Sequence, residues 1–153
     1  GNFVLNEFRV VVAPAADPSQ AKPVALRNAR ATFAQDGLSA AAAIDGNNQA
    51  FSGWAIAPRM GQSHTITFEA AEPLPAGPLV FTFTLEHNLG NQHTIGRLRL
   101  AVTTSAPPLG PEGLPAEIAA LLAVPAAERT AEQLQKLEEL KKNRPQPRER
   151  GAR

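Results

Sequence analysis

Cysteine and tyrosine are both missing from the 153 residues, and tryptophan occurs once. Without cysteine the chain forms no disulfide, holds no iron–sulfur cluster and offers zinc no thiolate, although this does not decide a compartment. Aromatic residues make up 5% of the chain, so few rings are available to stack on a ligand. No run of 18 apolar residues occurs, and the N-terminus has neither the basic flank nor the apolar stretch of a signal peptide. The opening "GNFVLNEF" reads instead as a piece cut from a longer precursor. A nucleophile elbow, an HExxH pair, a phosphate-binding glycine loop and an EF-hand loop are also lacking, and we expect no enzyme.

The formal net charge of +1 is unevenly spread. Residues 1–110 carry seven basic and seven acidic side chains, whereas the final "KKNRPQPRERGAR" carries six basic groups against Glu149. A neutral body provides no long-range attraction to a polyanion, so no nucleic-acid partner is expected.

What is present is alternation. "FVLNEFRVVV" at the start is rich in β-branched and aromatic residues and predicts a strand, closed by the Pro-punctuated "APAADPSQAKP". "VALRNARATFAQDG" predicts two short extended pieces around a polar turn, and "LSAAAAI" a single helical turn too short to stand without tertiary support. "SHTITFEA" sets His64, Ile66 and Phe68 on one face and Thr65, Thr67 and Glu69 on the other. "LVFTFTLEH" repeats the pattern with Leu79, Phe81, Phe83 and Leu85 inward, and "IGRLRLAVTT" with Leu98, Leu100 and Val102 inward. Half-buried strands without crossover helices predict an all-β antiparallel sandwich over residues 1–105, with Phe68, Phe81, Phe83, Leu98 and Leu100 in its core.

After Thr104 the pattern changes. "SAPPLGPEG", with three Pro and two Gly, is read as a linker over 106–114, followed by a short helical extension over 115–142 and a disordered basic tail over 143–153. Thr130 stands at an N-cap position with Gln133 three residues on, the spacing of a capping box. Narrow stripes at Leu114, Ile118, Leu121, Leu134 and Leu137 imply helices that depend on docking.

Taken together, "NFVLNEFRV", "ARATFAQDGLSAAAAIDGNNQAFSGWAI" and "HTIGRLRLAVTT" resemble a non-catalytic domain of large secreted planctomycete proteins that also carry cytochrome-c-like domains. The middle segment is similar, more weakly, to the discoidin or galactose-binding-like superfamily. The resemblance implies a jelly-roll β-sandwich, a structural calcium near one end, a loop patch for sugar, and a periplasmic or extracellular location within a larger protein. It further implies that Asp45 ligates the calcium, with Glu7 of the first strand as a further ligand. From the residues alone, "IDGNNQ" offers the oxygens of Asp45, Asn47 and Asn48 around a permissive Gly46, and the same residues also make an ordinary turn.

For a ligand other than metal, the polar loop "EHNLGNQH" offers His87, Asn88 and His93, longer than a minimal hairpin requires. Arg59 completes this set, and Phe51 and Trp54 are the plausible platforms, with Trp54 favoured as a core residue because Ile56 follows it at strand spacing. Arg97, Arg99 and Arg9 read as a basic comb on a wetted sheet face. Two functions follow: an accessory carbohydrate-binding module that targets a larger secreted protein to polysaccharide, or a structural domain that packs on neighbouring domains and binds no glycan.

Overall fold

The computed structural model describes residues 1–110 and 116–142. Over these residues the chain is a small mixed α/β protein with two antiparallel sheets followed by two α-helices. Strands β1 (Glu7–Pro14), β2 (Lys22–Val24) and β5 (Leu79–Glu86) form one sheet in the order β2-β1-β5, and β3 (Leu26–Ala31) pairs with β4 (Ile66–Ala70) in the other. Helices α1 (Ala116–Ala123) and α2 (Ala131–Lys142) close the described chain. Among the described residues, no helix is long and apolar enough to cross a membrane.

The alternation in β5 has its expected consequence, and β1 matches it. Phe8 faces Leu85, Val10 faces Phe83 and Val12 faces Phe81 in the antiparallel ladder, so the apolar residues of the two strands share one side. Phe8 of β1 stacks on Phe68 of β4 with ring centroids 4.7 Å apart, which joins the two sheets through one core. Phe3, Leu5, Val10, Ala43, Trp54 and Ile56 complete its buried centre, with Phe68, Phe81 and Phe83 partly buried around it. Among these, the stacked rings of Phe8, Phe81 and Phe83 add to the area they bury. "LSAAAAI" forms the single turn expected of it, a 3-10 helix over Ala40–Ala43 capped by the Ser39 hydroxyl.

Two expectations fail. "IGRLRLAVTT" forms no strand, and Leu98, Leu100 and Val102 are 51%, 44% and 67% exposed rather than in the core. Alternation shows which side of a strand would be apolar, but a strand also needs an edge to pair with, and this segment joins neither described sheet. Among the described residues the antiparallel pairing expected over 1–105 is present in five strands, in sheets of three and two, and the two α-helices fall within the expected helical extension.

Glu69 is the second departure. Expected on the wetted face of β4, it is buried, with Oε1 accepting the Leu109 N–H at 3.0 Å and Oε2 accepting Asn28 Nδ2–H at 2.7 Å. Leu109, within the Pro-rich segment, is buried with it, and the Thr67 hydroxyl donates to the Gly110 carbonyl. Asn28 adopts φ +52° where the β3–β4 register shifts, which turns its amide toward Glu69.

At the C-terminus, Gln133 N–H donates to Thr130 Oγ1 and Thr130 N–H to Gln133 Oε1, the reciprocal pair of a capping box. The two helices pack on each other, Lys136 pairs with Glu117, and Leu137 is buried while Leu134 is exposed. Leu114 and the tail over 143–153 lie outside the described residues.

Candidate functional site

The stretch that ends in Trp54 is held from both sides. Leu5, just before β1, exchanges two backbone hydrogen bonds with Trp54, N–H to O at 2.8 Å and 2.9 Å. The indole is 4% exposed, packs edge-on against Phe3, and donates Nε1–H to the Phe33 carbonyl at 2.8 Å. With both ring faces in the core and its polar edge satisfied, Trp54 anchors the loop and offers no surface for a sugar.

Upstream of this anchor, residues 45–52 form a succession of tight turns. Asp45 Oδ1 accepts the Asn47 N–H at 2.8 Å and Asn47 Oδ1 accepts the Gln49 N–H at 3.2 Å. These are local side-chain-to-backbone bonds of the sort Asp and Asn make in turns. The Ser52 N–H then donates to the Gln49 carbonyl. The result places Phe51 outward, 80% exposed, beside a shallow depression of about 520 Å3 lined by Asn47, Gln49, Ala50, Phe51 and Ser52.

A single buried side chain ties this loop to its neighbour. Asn6 is 0% exposed, in the middle of the apolar opening segment. Its Nδ2 donates to the carbonyls of Gln49 at 2.6 Å and Ser52 at 2.7 Å and lies 3.3 Å from that of Ala50. Its Oδ1 accepts the Asn88 N–H at 2.6 Å, and Asn88 Nδ2 in turn donates to the Asn48 carbonyl at 2.9 Å. Residues 45–52 and the start of the loop after β5 therefore form one surface, fastened by amides.

The proposed residues are distributed unevenly. Asp45, Asn47, Glu7 and Asn88 come together around this joint. His87 lies beneath it, donating Nδ1–H to the Val4 carbonyl at 2.7 Å and meeting Phe3 edge-on. His93 is held within its own loop by the Gly90 carbonyl. Arg59 belongs to another neighbourhood, over the Phe33 ring at 4.4 Å, where its carbonyl accepts from His64 Nε2–H.

The calcium implied for Asp45, Asn47 and Glu7 meets a specific difficulty. Glu7 is buried, its Oε1 accepts the Gly46 N–H at 2.6 Å, and its Oε2 lies 3.9 Å from Arg9, whose guanidinium also pairs with Glu86. The three carbonyls that converge in this loop converge on Asn6 Nδ2, so a cation there would have to displace a buried amide. Those carbonyls are therefore engaged by Asn6 and do not complete a calcium shell with Asp45 and Asn47.

Asn6 was the residue the pattern passed over. Its signal was a polar side chain inside "FVLNEF", where a buried polar group needs partners. The chain matches no family model, no curated protein and no solved structure.

Proposed function

We infer that the chain is an accessory carbohydrate-binding module, of the galactose-binding-like jelly-roll kind, that targets a larger secreted protein to polysaccharide. The observation that carries this reading is Phe51: a large ring left almost wholly in solvent, at the rim of a depression whose other residues are mostly amides and a hydroxyl. An apolar ring face beside hydrogen-bonding groups suits the two sides of a sugar, its C–H face and its hydroxyls. Asn47, Gln49 and Asn88 are the polar partners in this reading, and Trp54 is the support beneath. The balanced charge of residues 1–110 favours a neutral polysaccharide over a polyanion. The likeness to secreted planctomycete domains supports a periplasmic or extracellular setting.

A glycan array with the wild type and Phe51→Ala tests it. Binding of a neutral polysaccharide by the wild type, lost in a Phe51→Ala variant that melts normally, is the expected result. Absence of any glycan signal, or binding indifferent to Phe51, rejects it.

A second reading has its own observation. Leu98, Leu100 and Val102 are exposed on a segment that lies outside both sheets, which favours a domain that packs on a neighbour without binding glycan. A glycan-negative array would leave this reading standing.

A further inference from the structure

Loops built of consecutive tight turns bring several carbonyl oxygens to one point, and the negative ends of those dipoles repel one another unless a positive group sits among them. Calcium commonly fills that role, with oxygens at about 2.3–2.6 Å. Here the point is filled by the Asn6 amide, whose nitrogen stands 2.6 Å and 2.7 Å from the Gln49 and Ser52 oxygens and 3.3 Å from that of Ala50.

We propose that the Asn6 side chain acts as a built-in substitute for a cation, fixing the 45–52 loop and the loop after β5 together without metal. Three features support this. The amide has two N–H bonds, both directed at carbonyls, and an oxygen that accepts from Asn88, so one side chain satisfies both loops. It is wholly buried, and no buried side-chain nitrogen or oxygen among the described residues lacks a partner. The carboxylate next to it in the chain, Glu7, is engaged by Gly46 N–H and lies 3.9 Å from Arg9, so its charge is already compensated. Asn6 is thus a positioning residue for the surface around Phe51. This role does not depend on what that surface binds.

The distinction from an ordinary structural asparagine lies in what aspartate would do. Asn6→Asp keeps the shape but replaces a donor by a carboxylate, which faces the same three carbonyls and now requires a cation between them. Thermal melts of wild type, Asn6→Asp and Asn6→Ala, each in chelator and in millimolar calcium, make the test. The wild type is expected to melt at the same temperature in both conditions. In chelator both variants fall by about 5–10 °C, the loss expected when buried carbonyls lose their donors. Calcium recovers a substantial part of the loss in Asn6→Asp and none in Asn6→Ala.

A calcium-dependent rise in the wild-type melting temperature that Asp45→Ala abolishes would overturn the proposal, as would an Asn6→Ala protein that melts with the wild type. An Asn6→Asp variant that folds and is indifferent to calcium also rejects it. If that variant does not fold even with calcium, the side-chain amide protons of Asn6 in the wild type decide. Slow exchange, unchanged on adding calcium, supports the assignment, and fast exchange or a calcium-induced shift refutes it.

Discussion

Gly53 joins the exposed loop to the buried Trp54, and replacing it with alanine is the sharpest perturbation of this junction. Its φ is +140°, a region side-chain-bearing residues avoid, and an added Cβ would stand 2.7 Å from the Leu5 carbonyl carbon, 2.8 Å from Asn6 Cα and closer still to the Leu5 oxygen. All three atoms are backbone and cannot swing aside. The dihedral strain alone costs about 1–3 kcal/mol. Relief of the clash requires Leu5 and Trp54 to separate, weakening two buried hydrogen bonds of about 0.5–1.5 kcal/mol each and loosening the core around them. The total for Gly53→Ala is about 3–6 kcal/mol, a large part of the ~5–15 kcal/mol that holds a typical domain together. Gly46→Ala is the matched control: φ is +81°, but nothing lies within 4 Å of the new Cβ, so only the backbone term of about 1–2 kcal/mol remains. Urea unfolding of both variants, read as a change in midpoint at constant slope, measures the difference. Loss of cooperative folding in Gly53→Ala beside a folded Gly46→Ala is the extreme form of the expected result. Equal destabilisation of the two, or a Gly53→Ala midpoint within about 1 kcal/mol of the wild type, would refute the close approach of loop and strand.

Other outcomes follow from the same geometry. Phe83 is partly buried with its ring centroid 6.0 Å from those of Phe8 and Phe81, so Phe83→Ala should cost about 2–3 kcal/mol in urea unfolding, below the ~3–5 of a fully buried ring. Leu100→Ala, at an exposed site, should stay within about 0.5 kcal/mol in the same assay, and a larger loss would show that its segment is packed. Phe51→Ala should leave the melting temperature unchanged, and a marked fall would mean that its ring is not free in solution. The Asn28 amide, then the Leu109 N–H, hold the Glu69 carboxyl below its ordinary value of 4.5 against the opposing effect of burial, with Arg27 and Arg30 assisting. A depressed folded-state pKa contributes stability that is complete above the unfolded value and is lost as pH falls through the lower folded value. Melts from pH 7 to pH 3 should therefore show a steeper acid loss in the wild type than in Glu69→Gln, which should be the less stable of the two at pH 7; parallel curves would contradict the Glu69 clasp.

The parts of this molecule legible in the sequence are those governed by near neighbours along the chain. β-Branched and aromatic content marked β1, and alternation of apolar and polar residues marked β4, β5 and the inward Phe81 and Phe83, because a strand's side chains point to opposite faces whatever the fold around it. The Thr130–Gln133 cap and the turn at Ala40–Ala43 were equally local, being settled by bonds that span three residues. Trp54 as a core residue also followed from spacing, since Ile56 shares its side of the chain. Only the tertiary structure decided which segments found partners. Leu98 and Leu100 alternate as well as Phe81 and Phe83 do, yet β5 has β1 beside it and they pair with no strand among the described residues. Glu69 changed from a wetted position to a buried one because a segment some 40 residues later covers it. Asn6 meets Gln49, Ser52 and Asn88 across 43 to 82 residues, and no local rule connects them. Hydrogen bonds of that range exist only once the chain has folded, and they are what hold the candidate surface around Phe51 in place.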